Sequence, residues 1–162
     1  MAADMFIKID DIKGEAVDTT HGDEIQVLSW SWGMSQSGTT HIGTGGGAGK
    51  VNVQDLSFTK YVDSSSPNLI SFCASGKHFK QAMLTIRKAG DKPVEYLKIK
   101  MIDLIVSNVS TGGSGGEDRI TENITLNFSA VQLDYTPQKK DGSAGATATA
   151  TWNIAKNCKE LG

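Results

Sequence analysis

The segment LSWSWGMSQSGTTHIGTGGGAGKVNVQDLSFTKYVD, residues 28–63, decides how the chain is read. It opens with alternation: Leu28, Trp30, Trp32 and Met34 fall on one face, Ser29, Ser31 and Gly33 on the other. Period two with large aromatics on one side predicts a half-buried strand whose aromatic face turns inward. The segment closes with a return strand over residues 50–62, where Leu56 and Phe58 share one face and Val51, Val53 and Thr59 the other. Between the two lies a glycine-dense arm, residues 38–49, with scarcely an apolar anchor. Each glycine loses the most backbone entropy on ordering, so the arm is expected to take its shape from a partner. Long loops inside compact domains are commonly functional.

Working outward, residues 5–9 (MFIKI) predict a first strand with Met5, Ile7 and Ile9 on one face. Residues 10–23 are polar, hold Gly14 and Gly22, and read as a turn before a long strand over 24–36. One convincing helix follows the arm. Ser66 suits its N-cap, Pro67 its first position, Leu69, Ile70, Phe72 and Cys73 an apolar stripe, and Gly76 its C-cap. Strands are expected over 81–88 and 94–109, joined by a turn at 89–93, and 111–118 reads as a mobile connection. In 119–135 the apolar phase shifts from Ile120, Ile124, Leu126 and Phe128 to Val131, Leu133 and Tyr135, which predicts a bulge near Ser129 and Ala130. Residues 137–145 read as a loop before a last strand in which Ala and Thr alternate ahead of Trp152 and Ile154. The pattern is all-β with one short α-helix: a compact β-barrel of two packed sheets, about eight strands in all, with an extended glycine-rich loop. The helix would plug one end or side of the barrel, and residues 1–162 form a single domain.

Composition narrows the function. A net charge of −2 on 162 residues argues against nucleic acid, which calls for a basic field, and permits self-association. Cys73 and Cys158 have neither metal-ligand nor redox spacing and read as unpaired thiols. His21, His41 and His78 are scattered and read as surface residues, so no metal is assigned. The start, MAADMFIKIDDIKGE, lacks a secretory leader pattern and no segment reaches membrane-spanning length, which predicts a cytoplasmic product without membrane insertion. Gly112-Gly113-Ser114-Gly115-Gly116 satisfies GxSxG, but a strand rather than a helix is expected after it, which the nucleophile elbow does not allow. Gly43-x-Gly45-x-x-Ala48 and Gly49-Lys50 fall short of dinucleotide and phosphate-loop motifs. Glu117, Asp118 and Arg119 read as a solvated turn or an interface charge group rather than an acid–base pair. No catalytic constellation and no cofactor emerge, and an enzyme is not expected.

The strings EIQVLSWSWGMSQSG, AGKVNVQDLSFTKYVDSSSPNL, LTIRKAG, VEYLKIKM and VSTGGSGGEDRITENITLNF, in that order, closely resemble the Hcp family, the haemolysin co-regulated proteins of bacterial type VI secretion. The resemblance covers nearly the whole chain and weakens after Gln138. It implies a barrel protomer that forms a hexameric ring, with rings stacking into a tube whose lumen carries effector proteins. A contractile sheath outside and a spike protein at the tip would be further partners. The product would be cytoplasmic while the tube assembles and then secreted by the machine itself. On that reading Ser29 and Ser31 are candidates for the lumen wall. Thr40, His41, Ile42, Gly43, Thr44, Gly45, Gly46 and Gly47 are candidates for the contact between rings. The competing readings are a cytoplasmic effector chaperone that never polymerises and, from the enzyme class, an esterase built on Ser114.

Overall fold

Alternating apolar residues become strands nearly wherever the sequence carries them. The computed structural model describes residues 3–38, 49–90 and 93–162. It contains β1 (Ala3–Ile9), β2 (Ile25–Gln26), β3 (Ser29–Ser31), β4 (Met34–Ser35), β5 (Asn52–Val53) and β6 (Leu56–Tyr61). Helix α1 (Ser66–Ser75) follows, then β7 (His78–Lys88), β8 (Glu95–Thr111), β9 (Thr121–Tyr135) and β10 (Ala148–Asn153). The eight candidate arm residues from Thr40 to Gly47, and Asp91 and Lys92 in the expected β7–β8 turn, lie outside the described residues.

The main sheet is antiparallel, with neighbours in the order β2-β1-β7-β8-β9-β6-β3 and β10 on the C-terminal half of β9. Its two end strands, β2 and β3, are separated in sequence only by Val27 and Leu28. The Val27 amide donates to Met5 O of β1 at 2.9 Å, and the Leu28 amide to Thr59 O of β6 at 2.8 Å. One continuous segment thus pairs with both ends of the sheet and draws its curl into a barrel, which satisfies backbone groups that an open edge would leave bare. The interior is filled by fully buried residues from facing strands, among them Ile7, Phe58, Leu84, Ile99, Met101 and Leu126.

The seam explains a departure from the sequence expectation. The single strand expected over 24–36 is three short ones, because the chain changes partner at Val27 and Leu28 and breaks again at Gly33. There the Gly33 carbonyl accepts from the Gln54 amide at 2.9 Å, and β4 pairs with β5 as a separate ribbon. Trp30, opposite Phe58, and Trp32 pack against the core, but Met34 stands 50% exposed, so the aromatic face is inward only at its beginning.

Helix α1 lies against β8, with Leu69 fully buried and Phe72 edge-on to Phe79 at 5.5 Å. It ends as expected: Gly76 takes the left-handed conformation (φ 68°) and the Lys77 amide reaches back to Phe72 O at 3.2 Å. Its start is one residue earlier than expected. Ser65 occupies the cap, and the Ser66 hydroxyl instead donates to Glu122 Oε1 at 2.6 Å. The bulge expected at Ser129 and Ala130 is also elsewhere. Register between β8 and β9 is unchanged from Ile102↔Ala130 to Leu104↔Phe128 and shifts only between Val106 and Asn108. At Ser129 the facing residue, Asp103, adopts a positive φ of 50°, and both Ala130 and Val131 turn inward without an inserted residue.

Candidate functional site

Because β-strands alternate their faces, the residues between the buried ones must point away from the barrel core. Ser29 and Ser31 do so, and both are exposed. Register carries their small, polar character across the sheet. Ser29 stands opposite Thr59, Thr59 opposite Asn123, and Asn123 opposite Ser110. In the next row Ser31 stands opposite Ser57, Ser57 opposite Thr125, and Thr125 opposite Asn108. Thr59 Oγ1 donates to Asn123 Oδ1 at 2.6 Å, and the Ser57 and Thr125 hydroxyls lie 3.1 Å apart. Four strands therefore present one band of hydroxyls and amides without a charge in either row. Such a surface offers many weak hydrogen bonds and no strong one.

A second feature is an apolar groove of about 600 Å³ at the base of the arm, between the β4–β5 ribbon and the β9–β10 pair. Trp32, Met34, Val51, Val131, Leu133 and Trp152 line it. Trp32 Nε1 donates to Gln54 O at 2.9 Å, whereas the buried Trp152 Nε1 has no hydrogen-bond partner among the described residues.

Two charged clusters were not anticipated. Lys60 is wholly buried among Glu122, Asp63 and Ser66. The signal was present: Lys60 continues the inward phase of Leu56 and Phe58, and Glu122 that of Ile124 and Leu126. His21, expected at the surface, is buried against Phe6 and flanked by Glu24 and Glu95, whereas His78 is exposed as expected and His41 lies outside the described residues. Beside it, the Arg87 guanidinium and the Thr20 amide hold the Asp18 carboxyl well below the usual carboxylate range.

The remaining motif residues sit apart from these clusters. Residues 112–116 are exposed and lead into β9, so Ser114 lacks the strand–turn–helix setting of an elbow. Glu117, Asp118 and Arg119 are exposed, with Arg119 lying 3.9 Å above the Tyr61 ring. Cys73 and Cys158 form no disulfide. Among the described residues no cluster is placed to hold a metal ion, and no helix is long and apolar enough to cross a membrane.

The family described as "Type VI secretion system effector, Hcp" matches residues 6–135. Protein hcp1 of Pseudomonas aeruginosa is 66% identical over 159 residues, which cover 97% of this chain and 98% of that protein. The crystal structure of Hcp1 from Salmonella typhimurium shares 46% identity and a TM-score of 0.81 over 99% of this chain and 100% of that one. A structure described as a type six secretion system protein superposes with a TM-score of 0.91 at 34% identity, over 98% of this chain and 100% of that one.

Proposed function

The chain belongs to the Hcp family of type VI secretion system proteins, and on that footing we propose that it is a tube protomer, six copies of which close into a ring. Rings stack, effector proteins ride in the lumen, and the contractile sheath and spike protein of the machine engage the tube from outside and at its tip. The role is structural rather than catalytic, and one domain spanning 1–162 performs it. The tube assembles in the cytoplasm and the protein leaves through the machine it builds.

The observation that carries this reading is the uncharged band running from Ser29 and Ser31 to Asn108 and Ser110. A lumen that must hold varied cargo and then release it needs such a surface, since each contact is weak and the ring repeats it by symmetry. In this proposal Ser29 and Ser31 line the lumen, and Thr40, His41, Ile42, Gly43, Thr44, Gly45, Gly46 and Gly47 contact the next ring. Strand β10, whose outer edge pairs with no further strand among the described residues and is met at Asn153 by Cys158, supplies a surface for the neighbouring protomer.

Light scattering of the purified protein tests the ring. The expected mass is that of about six copies of a 17.3 kDa chain, with open-centred rings in negative-stain images. A strictly monomeric species over a wide concentration range overturns the proposal in favour of a carrier that does not polymerise.

A further inference from the structure

The loop between β1 and β2 is held down by a histidine that the tube role does not use. His21 stacks on Phe6 of β1, ring centroids 4.9 Å apart and planes 10° from parallel. Its Nδ1 lies 2.6 Å from Glu24 Oε2, and its Nε2 lies 2.6 Å from Glu95 Oε1 at the start of β8. A neutral imidazole carries one N–H, and an ionised carboxylate can only accept. Carboxylates on both ring nitrogens therefore match the doubly protonated ring. We propose that His21 is a cationic clamp that pins the 13–24 loop to β1 and β8 and lets it go when the ring loses its proton.

The surrounding charges fit this assignment from every side. Glu24 approaches from the loop itself and Glu95 from β8, where Lys98 Nζ shares the Glu95 carboxylate at 3.1 Å. From β7, Arg87 lies 5.2 Å from the Phe6 ring, but its charge is already paired with Asp18, and Asp4 of β1 lies 3.5 Å away. Strand β2 (Ile25–Gln26) adds no titratable group. Burial is the largest single influence on His21 and opposes its charge, yet the hydrogen bonds and charges of Glu95 and Glu24 together outweigh it and raise its pKa above 6.5. Burial likewise opposes ionisation of Glu95, and the bonds from His21 and Lys98 outweigh that and lower its pKa below 4.5.

The signs define a window. The His21 contribution is complete below 6.5 and is lost as pH rises through its raised folded value; the Glu95 contribution is present above 4.5 and is lost as pH falls through its lowered value. Between those limits the clamp is closed. It keeps the bonds Gly14 N–H to Asp23 O (2.8 Å), Ala16 N–H to Glu24 O (3.0 Å) and Asp23 N–H to Ala16 O (2.9 Å), and with them the position of Val17, which is 98% exposed.

Two measurements on the full-length protein test this. Nitrogen NMR of the imidazole should show both His21 nitrogens protonated below pH 6.5 and a titration midpoint above 6.5; a midpoint at or below 6.5 overturns the proposal. Hydrogen-exchange mass spectrometry of the 13–24 segment, corrected for intrinsic rates, should show opening that grows with pH by up to about tenfold per unit until the midpoint is passed. His21→Gln should abolish that dependence. Wild-type protection that is equal on both sides of the midpoint would show that the ring does not hold the loop.

Discussion

Lys60 and Glu122 stand directly opposite each other on β6 and β9, 0% and 1% exposed, with ammonium and carboxylate in contact. Lys60 Nζ also meets Tyr61 O at 2.9 Å, Asp63 Oδ1 at 3.0 Å and Ser66 Oγ at 3.1 Å. The cluster therefore joins two barrel strands to the first turn of α1. A buried pair of this kind contributes little over an apolar pair of equal volume, because desolvation offsets the attraction, but removing one partner strands a charge in the interior.

That asymmetry gives a prediction. Lys60→Met and Glu122→Leu should each destabilise the protein by about 3–5 kcal/mol. The double variant should recover most of the loss, since both wholly buried charges are gone and the Asp63 carboxylate, left without Lys60, still accepts from the Ser65 amide and hydroxyl. Thermal midpoints at one fixed protein concentration compare the three. A double variant whose loss equals the sum of the singles would show that the two charges are not coupled.

Acid stability should depend on Asp18. Its carboxylate is paired with Arg87 and accepts from the Thr20 amide at 3.0 Å, the Thr20 hydroxyl at 2.8 Å and the His21 amide at 3.2 Å. Its folded pKa is lowered far below 3.8, so its contribution is present above 3.8 and lost as pH falls through the folded value. The gap in midpoint between wild type and Asp18→Asn should be constant from neutral pH down to about 4 and narrow below it. A gap that stays constant to the most acid condition would remove Asp18 from the account of acid unfolding.

The barrel was legible in the sequence because its signals are local. Period two in MFIKI and LSFTK, the Pro67 and Gly76 marks around α1, and glycine runs between strands each report on a few adjacent residues. What the sequence hid was pairing at a distance. Nothing in VLSWS says that the chain changes partner between Val27 and Leu28, since the change depends on β1 and β6 arriving on either side. The burial of His21 likewise follows from Phe6 and Glu95, far away along the chain. Lys60 is a different case: its inward phase was readable, and only the assumption that a lysine faces water concealed it. Ser29 and Ser31 were legible as an outward pair, but the band they begin required the register of four strands.

The two turns richest in contrast are tested by alanine. A Cβ on Gly14 would lie 2.5 Å from Glu24 O and 2.8 Å from Ile25 Cα, both backbone atoms at the seam of the barrel. Gly14→Ala should therefore cost roughly 1–3 kcal/mol through forced displacement of that backbone. A Cβ on Gly115 meets nothing within 4 Å, so Gly115→Ala should stay within about 0.5 kcal/mol of wild type. Equal thermal midpoints for the two variants would contradict the close approach at Gly14.

Deleting residues 40–47 should separate ring formation from tube growth. The base of the arm is fixed without them: Met34 pairs with Val53, Ser35 with Asn52, and Gln54 bonds Gly33. Those residues also carry little apolar area for the protomer's own core, so the deletion should change stability by no more than about 1 kcal/mol. Rings should form at normal mass, while stacked tubes and secretion disappear. An unfolded protomer, detected by circular dichroism, would place the arm in the fold and end its assignment to ring–ring contact.

Ser31→Gln tests the lumen. Ser31 is exposed on β3, beside Ser29 and opposite Ser57, on the face away from Phe58 and the core. A longer side chain there meets no buried neighbour, so folding stability should change by no more than about 0.5 kcal/mol. If the polar band faces the lumen, a ring places six added side chains around one opening, and each removes a small acceptor that cargo would otherwise use. Cargo retention should then fall sharply while size-exclusion chromatography reports an intact ring. Loss of the ring would instead put Ser31 between neighbouring protomers, where the same small residue would serve close packing. Normal assembly with undiminished retention would remove Ser31 from both surfaces and leave the rows through Thr59, Asn123 and Thr125 as exterior decoration of the barrel.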